Sequence, residues 1–248
     1  MKLYFIIMAV MAVLAVVVFI CLFRFKAGYG FLRAGGWGPQ ISNKAAWVLM
    51  EAPAFLLMFW WTLHYAKGAA VIIMAALFLL HYFQRSFIFP LLMRGHSKMP
   101  VAIMFMGMLF NSINAYLIGG WLFKLGSYDD SWLTSPQFII GTVIFFAGMA
   151  INLHSDHVIR HLRKPGDTKH YIPQKGFYKY VTSANYFGEF VEWVGYAILT
   201  WSPAGLLFAV WTFANLAPRS KSLTEKYIQE FGEEYSSLGR KNMIPFIW

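Results

Sequence analysis

The stretch LYFIIMAVMAVLAVVVFICLF, from Leu3 to Phe23, decides the fold. It is uncharged and reaches the roughly 20 residues that a helix needs to cross a hydrocarbon core about 30 Å thick. The block is longer than a typical apolar signal core, and no small-residue cleavage site follows at Phe25-Lys26, so a retained helix is expected. Further apolar blocks run from Ala45 to Tyr65, Ala69 to Leu92, Pro100 to Phe123, Phe138 to Leu153, Tyr180 to Trp201 and Ala204 to Leu216. The reading is an all-α integral membrane protein, a single multi-pass domain of seven transmembrane helices over residues 1–248. A polar loop at 154–179 and a tail at 217–248 complete it.

Composition agrees, with 58% of the 248 residues apolar and only 13% charged. The single cysteine, Cys21, excludes an internal disulfide and a cysteine-rich metal site. The net charge of +10 comes with no soluble basic module, so it is assigned to loops and a nucleic-acid partner is excluded. Lys and Arg concentrate on the cytoplasmic side of short loops. Here the first, third and fifth loops and the tail hold four, two, six and five, against Lys2, Lys67 and Lys124 on the other side. The N-terminus is therefore expected outside or in the lumen, and the C-terminus in the cytoplasm. The host membrane would be the endoplasmic reticulum in a eukaryote or the inner membrane in a bacterium.

Polar groups at membrane depth are costly unless paired or facing water, and each is a functional candidate. Glu51 lies about seven residues inside its span, two before Pro53; an ion pair with Arg85 is its structural alternative. Tyr82, in the run HYFQR from His81 to Arg85, sits at a comparable depth, on the order of 10 to 15 Å at 1.5 Å per residue. In INLHSDHVIRHLRKPG, from Ile151 to Gly166, a continuous helix would place Asn152, Asp156, Arg160 and Arg163 within an arc of roughly 80°. Guanidinium forks there suit phosphates and the carboxylate suits ribose hydroxyls, though a solvated face with pairs such as Asp156 and Arg160 would look the same. Pro165-Gly166 is expected to stop that helix. In SANYFGEFVEWVGY, from Ser183 to Tyr196, Asn185, Glu189 and Glu192 interrupt an apolar helix; the carboxylates either line a polar cavity or pair with basic loop residues.

Without a GxGxxG after a strand or a Walker loop, any nucleotide must sit inside the bundle. His154, His157 and His161 have spacings that could ligate a metal, but the arginines around them argue against a dication, so no metal is expected. The tail continues the basic theme with Arg219, Lys221, Arg240 and Lys241. Glu225, Tyr227, Phe231 and Tyr235 have helical spacing there, as an interfacial helix would.

Five separated segments, AAWVLMEAPAF from Ala45, LHYFQRSF from Leu80, GMAINLHSDHVIRHLRKPG from Gly148, IPQKGFYKYVTSANYFGEFVEWVGYA from Ile172 and the terminal IPFIW, together resemble the steroid 5-alpha-reductase family, most closely its vertebrate type 2 members. The resemblance implies a monomeric membrane enzyme that uses NADPH to saturate the 4,5 double bond of a 3-oxo-4-ene steroid. It assigns Glu51 and Tyr82 to the substrate ketone, and Asn152, Asp156, Arg163, Asn185, Arg219 and Tyr227 to the cofactor. Glu189 would join that pocket, as would Tyr29 within GYG at Gly28 to Gly30. Tyr82 would donate to the ketone oxygen while Glu51 orients the phenol. Met50, His170 and Leu223 depart from the family pattern, and its arginine early in the fourth span has no match near Phe105. Alternatives are reduction of another conjugated lipid such as an enoyl-CoA or polyprenal, an isoprenylcysteine-type methyltransferase, and a seven-helix receptor or transporter.

Overall fold

A computed structural model describes residues 1–25, 32, 37–164, 167 and 169–248. Helices α1 (Lys2–Arg24), α2 (Asn43–Tyr65), α3 (Ala69–Phe83), α4 (Phe89–Leu92), α5 (Val101–Gly120), α6 (Pro136–Arg160), α7 (Ala184–Thr200), α8 (Pro203–Phe231) and α9 (Glu233–Ser236) make up most of the described chain. Strands β1 (Gln40–Ser42) and β2 (Lys98–Pro100) pair antiparallel, Ile41 opposite Met99, and tie the entries of α2 and α5 together. Among the described residues five helical stretches are long and apolar enough to cross a membrane: Lys2–Arg24, Asn43–Tyr65, Ala69–Leu92, Val101–Leu125 and Pro136–Arg160. The protein is thus an integral membrane protein. The expected sixth and seventh blocks are also helical, but α7 is short and carries Glu189 and Glu192, and α8 runs on into a polar half.

Several expected boundaries move. The fifth helix ends at Arg160, capped by His161 with φ −102° and ψ 6°, so Arg163 is not on a continuous helical arc with Asn152 and Asp156. The chain stops being helical before Pro165-Gly166, the expected breaker. The sixth helix begins at Ala184 instead of Tyr180, because Gly176–Lys179 form a 3-10 turn and Val181 bridges to Lys241. The seventh does not stop at Leu216: it continues through Pro218 to Phe231 and absorbs half of the expected tail.

Helices α6 and α7 meet backbone to backbone. A methyl group added at Gly148 would overlap the backbone nitrogen of Glu192, and one at Gly188 would overlap that of Asn152. Gly141 and Gly195 repeat the arrangement seven residues away on each helix. Small residues that let helices close in this way are the usual basis of pairing in lipid, where apolar side chains alone give no drive to associate. Elsewhere α1 runs alongside α8 in the same direction, with Trp211 Nε1 donating to the carbonyl of Met11 at 2.8 Å and Phe19 stacked on Phe213.

The third span is not one regular helix. A π turn, Gln84–Ile88, separates α3 from α4, and Pro90 follows without an N–H to return to the preceding turn. That turn carries Arg85. A substitution tests the α6–α7 contact: Gly188→Ala is expected to cost about 1–3 kcal/mol, the range for overpacking a close-packed site. Thermal unfolding of purified protein in detergent measures it, and an unchanged midpoint would mean the helices have room between them.

Candidate active site

Tyr82 closes the deep end of the site, 2% exposed and packed against Phe78, His81 and Trp193. Its hydroxyl donates to Asn111 Oδ1 at 3.1 Å, and Asn114 Nδ2 approaches the same hydroxyl at 3.5 Å. Asn111 Nδ2 in turn donates to Glu51 Oε2 at 3.0 Å and to the carbonyl of Met50 at 2.9 Å, beside the turn of α2 that Pro53 loosens. Glu51 and Tyr82 do come together, but the expected direct orientation of the phenol by Glu51 is replaced by a bridge through Asn111. The alternative partner, Arg85, is engaged elsewhere.

Arg85 Nη1 donates to Asp156 Oδ2 and Nη2 to Glu189 Oε2, each at 3.0 Å. Its guanidinium also lies over the rings of Phe89 and Trp47. Asp156 accepts a further bond from Asn185 Nδ2 at 3.1 Å, and Asn152 Nδ2 donates to the Asn185 carbonyl at 2.9 Å. So Asp156, Asn185 and Glu189 form one buried network on α6 and α7, braced from behind by Asn152, which is not among the cavity-lining residues. Glu192, one turn along from Glu189, pairs with His81 Nδ1 at 2.8 Å. Both carboxylates therefore find partners on the third span, whereas basic loop residues were one expectation.

These groups face a cavity of about 1660 Å³. Its mouth is lined by Arg94, Arg160, Arg163, Lys164, Arg219 and Tyr227. Arg219 reaches Tyr186 at 3.5 Å, and Nη1 of Arg160 is buried with no hydrogen-bond partner among the described residues. Burial, followed by the neighbouring Tyr235, pushes the Tyr227 phenol up, and burial holds Tyr178 well above the ordinary tyrosine value, so both remain neutral donors. The Tyr171 hydroxyl holds the Asp167 carboxyl below its ordinary value. His170, one of the departures from the family pattern, hydrogen-bonds Glu230 of α8, and Arg240 Nη1 donates to the carbonyl of Pro173 at 2.6 Å; together they fasten the fifth loop to the C-terminal region. Tyr29, with Gly28 and Gly30, lies outside the described residues.

The sequence reading missed Asn111 and Asn114. Their signal in the sequence is two uncharged amides three apart in an apolar span. It also named Arg85 only as a partner for Glu51.

A helical membrane bundle whose interior joins an apolar wall to a cluster of cationic side chains, with a buried phenol and carboxylate between them, is the framework of an enzyme acting on a lipid-soluble molecule. Residues 97–248 match the family model described as 3-oxo-5-alpha-steroid 4-dehydrogenase. The chain is 42% identical over 227 residues to 3-oxo-5-alpha-steroid 4-dehydrogenase 1 of Macaca fascicularis, covering 89% of this chain and 84% of the relative. It is 43% identical over 216 residues to the Homo sapiens protein of the same name, covering 84% and 82%. The chain belongs to the steroid 5-alpha-reductase family and is an oxidoreductase. The expected closeness to type 2 members is not shown, since the Sus scrofa type 2 enzyme is 38% identical over 212 residues, covering 84% and 82%, below these type 1 values.

Arg85 supplies the test of the charge network. Removing one partner of a buried ion pair costs about 3–5 kcal/mol. Arg85→Leu should therefore lower the unfolding midpoint sharply, and adding Asp156→Asn with Glu189→Gln should recover much of it. A triple variant no more stable than Arg85→Leu would remove Arg85 as the balancing charge.

Proposed function

We propose that the protein is a monomeric NADPH-dependent reductase that saturates the 4,5 double bond of a 3-oxo-4-ene steroid of the testosterone or progesterone type. The observation that carries this reading is the chain Tyr82–Asn111–Glu51 at the closed end of a cavity whose open end is ringed by guanidinium groups. Those cations, and the unpartnered Nη1 of Arg160 above all, suit the diphosphate and extra phosphate of a dinucleotide. Asp156, Arg163, Asn185, Glu189, Arg219 and Tyr227 would hold the cofactor, with Asn152 behind Asn185 and Tyr29 added from the first loop. When bound, NADPH would supply the hydride that carbon 5 receives, and a proton from water taken up at carbon 4 would complete the saturation.

The chain's own residues do the rest. Reduction of an enone places negative charge on the ketone oxygen, and the Tyr82 hydroxyl is the donor that stabilises it. The phenol has a single proton, which Asn111 Oδ1 accepts before substrate enters and which turns to the ketone oxygen when it does; the Asn111 amide stays pinned by Glu51 and by the Met50 carbonyl. Phe78 and Trp193 keep water from the phenol, which strengthens each hydrogen bond there. Glu51 stands one bond further back and accepts from the same amide that orients the phenol.

Two measurements check the activity. Purified protein should oxidise NADPH when given testosterone or progesterone; turnover with an enoyl thioester but with no 3-oxo-4-ene steroid would remove the steroid assignment. Tyr82→Phe should retain NADPH binding and lose about 10²-fold or more in kcat, the usual scale for a group acting mainly in the transition state. Unchanged turnover would take Tyr82 out of the mechanism.

The same reading includes seven spans, with α7 and the first half of α8 completing the membrane bundle and the N-terminus outside. The lopsided Lys and Arg distribution supports it. A protease added to the cytoplasmic face should remove a C-terminal tag and spare an N-terminal one; the reverse pattern would invert the topology.

A further inference from the structure

The cavity has an apolar side that the ketone-binding chemistry does not explain. Val18, Cys21, Leu22 and Phe25 present one face of α1 to it, and Met106 and Phe110 face it from α5. Within that wall stands Asn215 of α8. Its carboxamide is exposed to the cavity and makes no hydrogen bond to any described residue. It lies between Trp211, bonded to Met11 of α1, and Lys221, placed over Phe23 of α1, so its level is that of an apolar membrane-spanning segment. An unpaired amide at such depth is costly, and groups of this kind persist where a polar ligand meets them.

The face it occupies says which ligand. At about 100° per residue, Phe208, Trp211 and Asn215 fall within roughly 60° of one another. Trp211 packs on Phe110 of α5, with ring centroids 4.9 Å apart, and Phe110 adjoins the bridging Asn111. Asn215 therefore shares the face of α8 that carries Phe208 and Trp211, and this face meets Trp193 of α7 and Phe110 of α5. Of the residues proposed for the dinucleotide, Arg219 stands one turn further along α8, and Asp156, Asn185 and Glu189 lie on α6 and α7. Asn215 itself is a hydrogen-bonding group in a wall whose other members, Val18, Leu22, Met106 and Phe110, are apolar.

We infer that Asn215 is a specificity-determining residue that hydrogen-bonds an oxygen at the end of the substrate remote from the ketone held by Tyr82. The substrate class this defines is a flat lipophilic enone with a hydroxyl or carbonyl at its far end, favoured over the same skeleton ending in hydrocarbon. A carboxamide offers both an N–H donor and a carbonyl acceptor, so it accommodates either kind of oxygen. A site built to bond a polar group discriminates against the analogue lacking it, because the site's own group is then left unpaired. The inference rests on the reading of the protein as a 3-oxo-4-ene reductase.

The test compares testosterone with androst-4-en-3-one, which differs only in lacking the distal oxygen, in wild type and in Asn215→Leu. Both kcat/KM and equilibrium binding, read from tryptophan fluorescence, are measured in the full-length protein in detergent. Wild type should prefer testosterone about 10-fold in both quantities, and Asn215→Leu should bring the ratio to within twofold, chiefly by losing the oxygenated ligand. Taking the ratio cancels differences in partitioning into detergent. Asn215→Gln, which keeps the amide, should retain part of the preference, and it replaces Asn215→Leu as the informative variant if the latter does not fold. Equal preference in wild type and Asn215→Leu, or a wild type that does not discriminate in binding, overturns the inference. Failure of the reductase reading looks different: no turnover of either steroid by any variant, while the binding ratio still reports on Asn215.

Discussion

The contact on which the site depends is the bare backbone meeting of α6 and α7. At Gly148 and Gly188 the two helices approach more closely than any side chain would permit, and that closeness puts Asp156 of one helix beside Asn185 and Glu189 of the other. In lipid such a contact is driven by packing and hydrogen bonding and not by exclusion of water. The glycines therefore do more than fill space, because they fix the separation at which Asn152 can bond the Asn185 carbonyl and Asn185 can bond Asp156.

The carboxylates thus gathered would repel one another in a medium of low dielectric. Arg85 resolves this from the opposite side by giving one nitrogen to each. Its position follows from a local irregularity: the π turn at Gln84–Ile88, next to Pro90, departs from regular α-helix at the residue that must reach two helices at once. Single π turns of this kind are frequent at functional sites. His81, one turn earlier, hydrogen-bonds Glu192, so the third span supplies the partners of the carboxylates on α6 and α7 while also carrying Tyr82 on its buried face.

What the sequence made legible was depth, and what it hid was partnership. Apolar blocks located the first four spans to within about two residues at each end, because hydrophobic length is a local property, whereas the fifth helix runs on past the expected Leu153 to Arg160. Equal depth for Glu51 and Tyr82 followed from counting residues along two antiparallel spans, and the structure links them. That Asn111 stands between them depends on how α5 rotates against α2 and α3, which no pattern within α5 states. The same holds for Arg85, an alternative partner for Glu51 by depth, whose guanidinium instead bonds Asp156 and Glu189. Helix ends differ from the expected ones where tertiary contacts act: the chain leaves α6 at Arg160, ahead of its proline, and the polar half of α8 bonds the fifth loop through Glu230 and His170 and the following segment through Thr224 and Thr182, with Tyr227 stacked on Tyr235.

The first helix stands apart from all of this. Tyr4 anchors it to the Leu117 carbonyl and Trp211 holds it midway, but most of its large side chains are exposed and its contribution to the cavity is an apolar strip. Changes at Val18, Leu22 or Phe25 would reshape the chamber without disturbing any ion pair, whereas a change on α6 or α7 alters the charge network and the packing together. Sequence drift in such a molecule has one permissive direction, and variation in what the chamber accommodates can accumulate along α1 while the reductive end stays as it is.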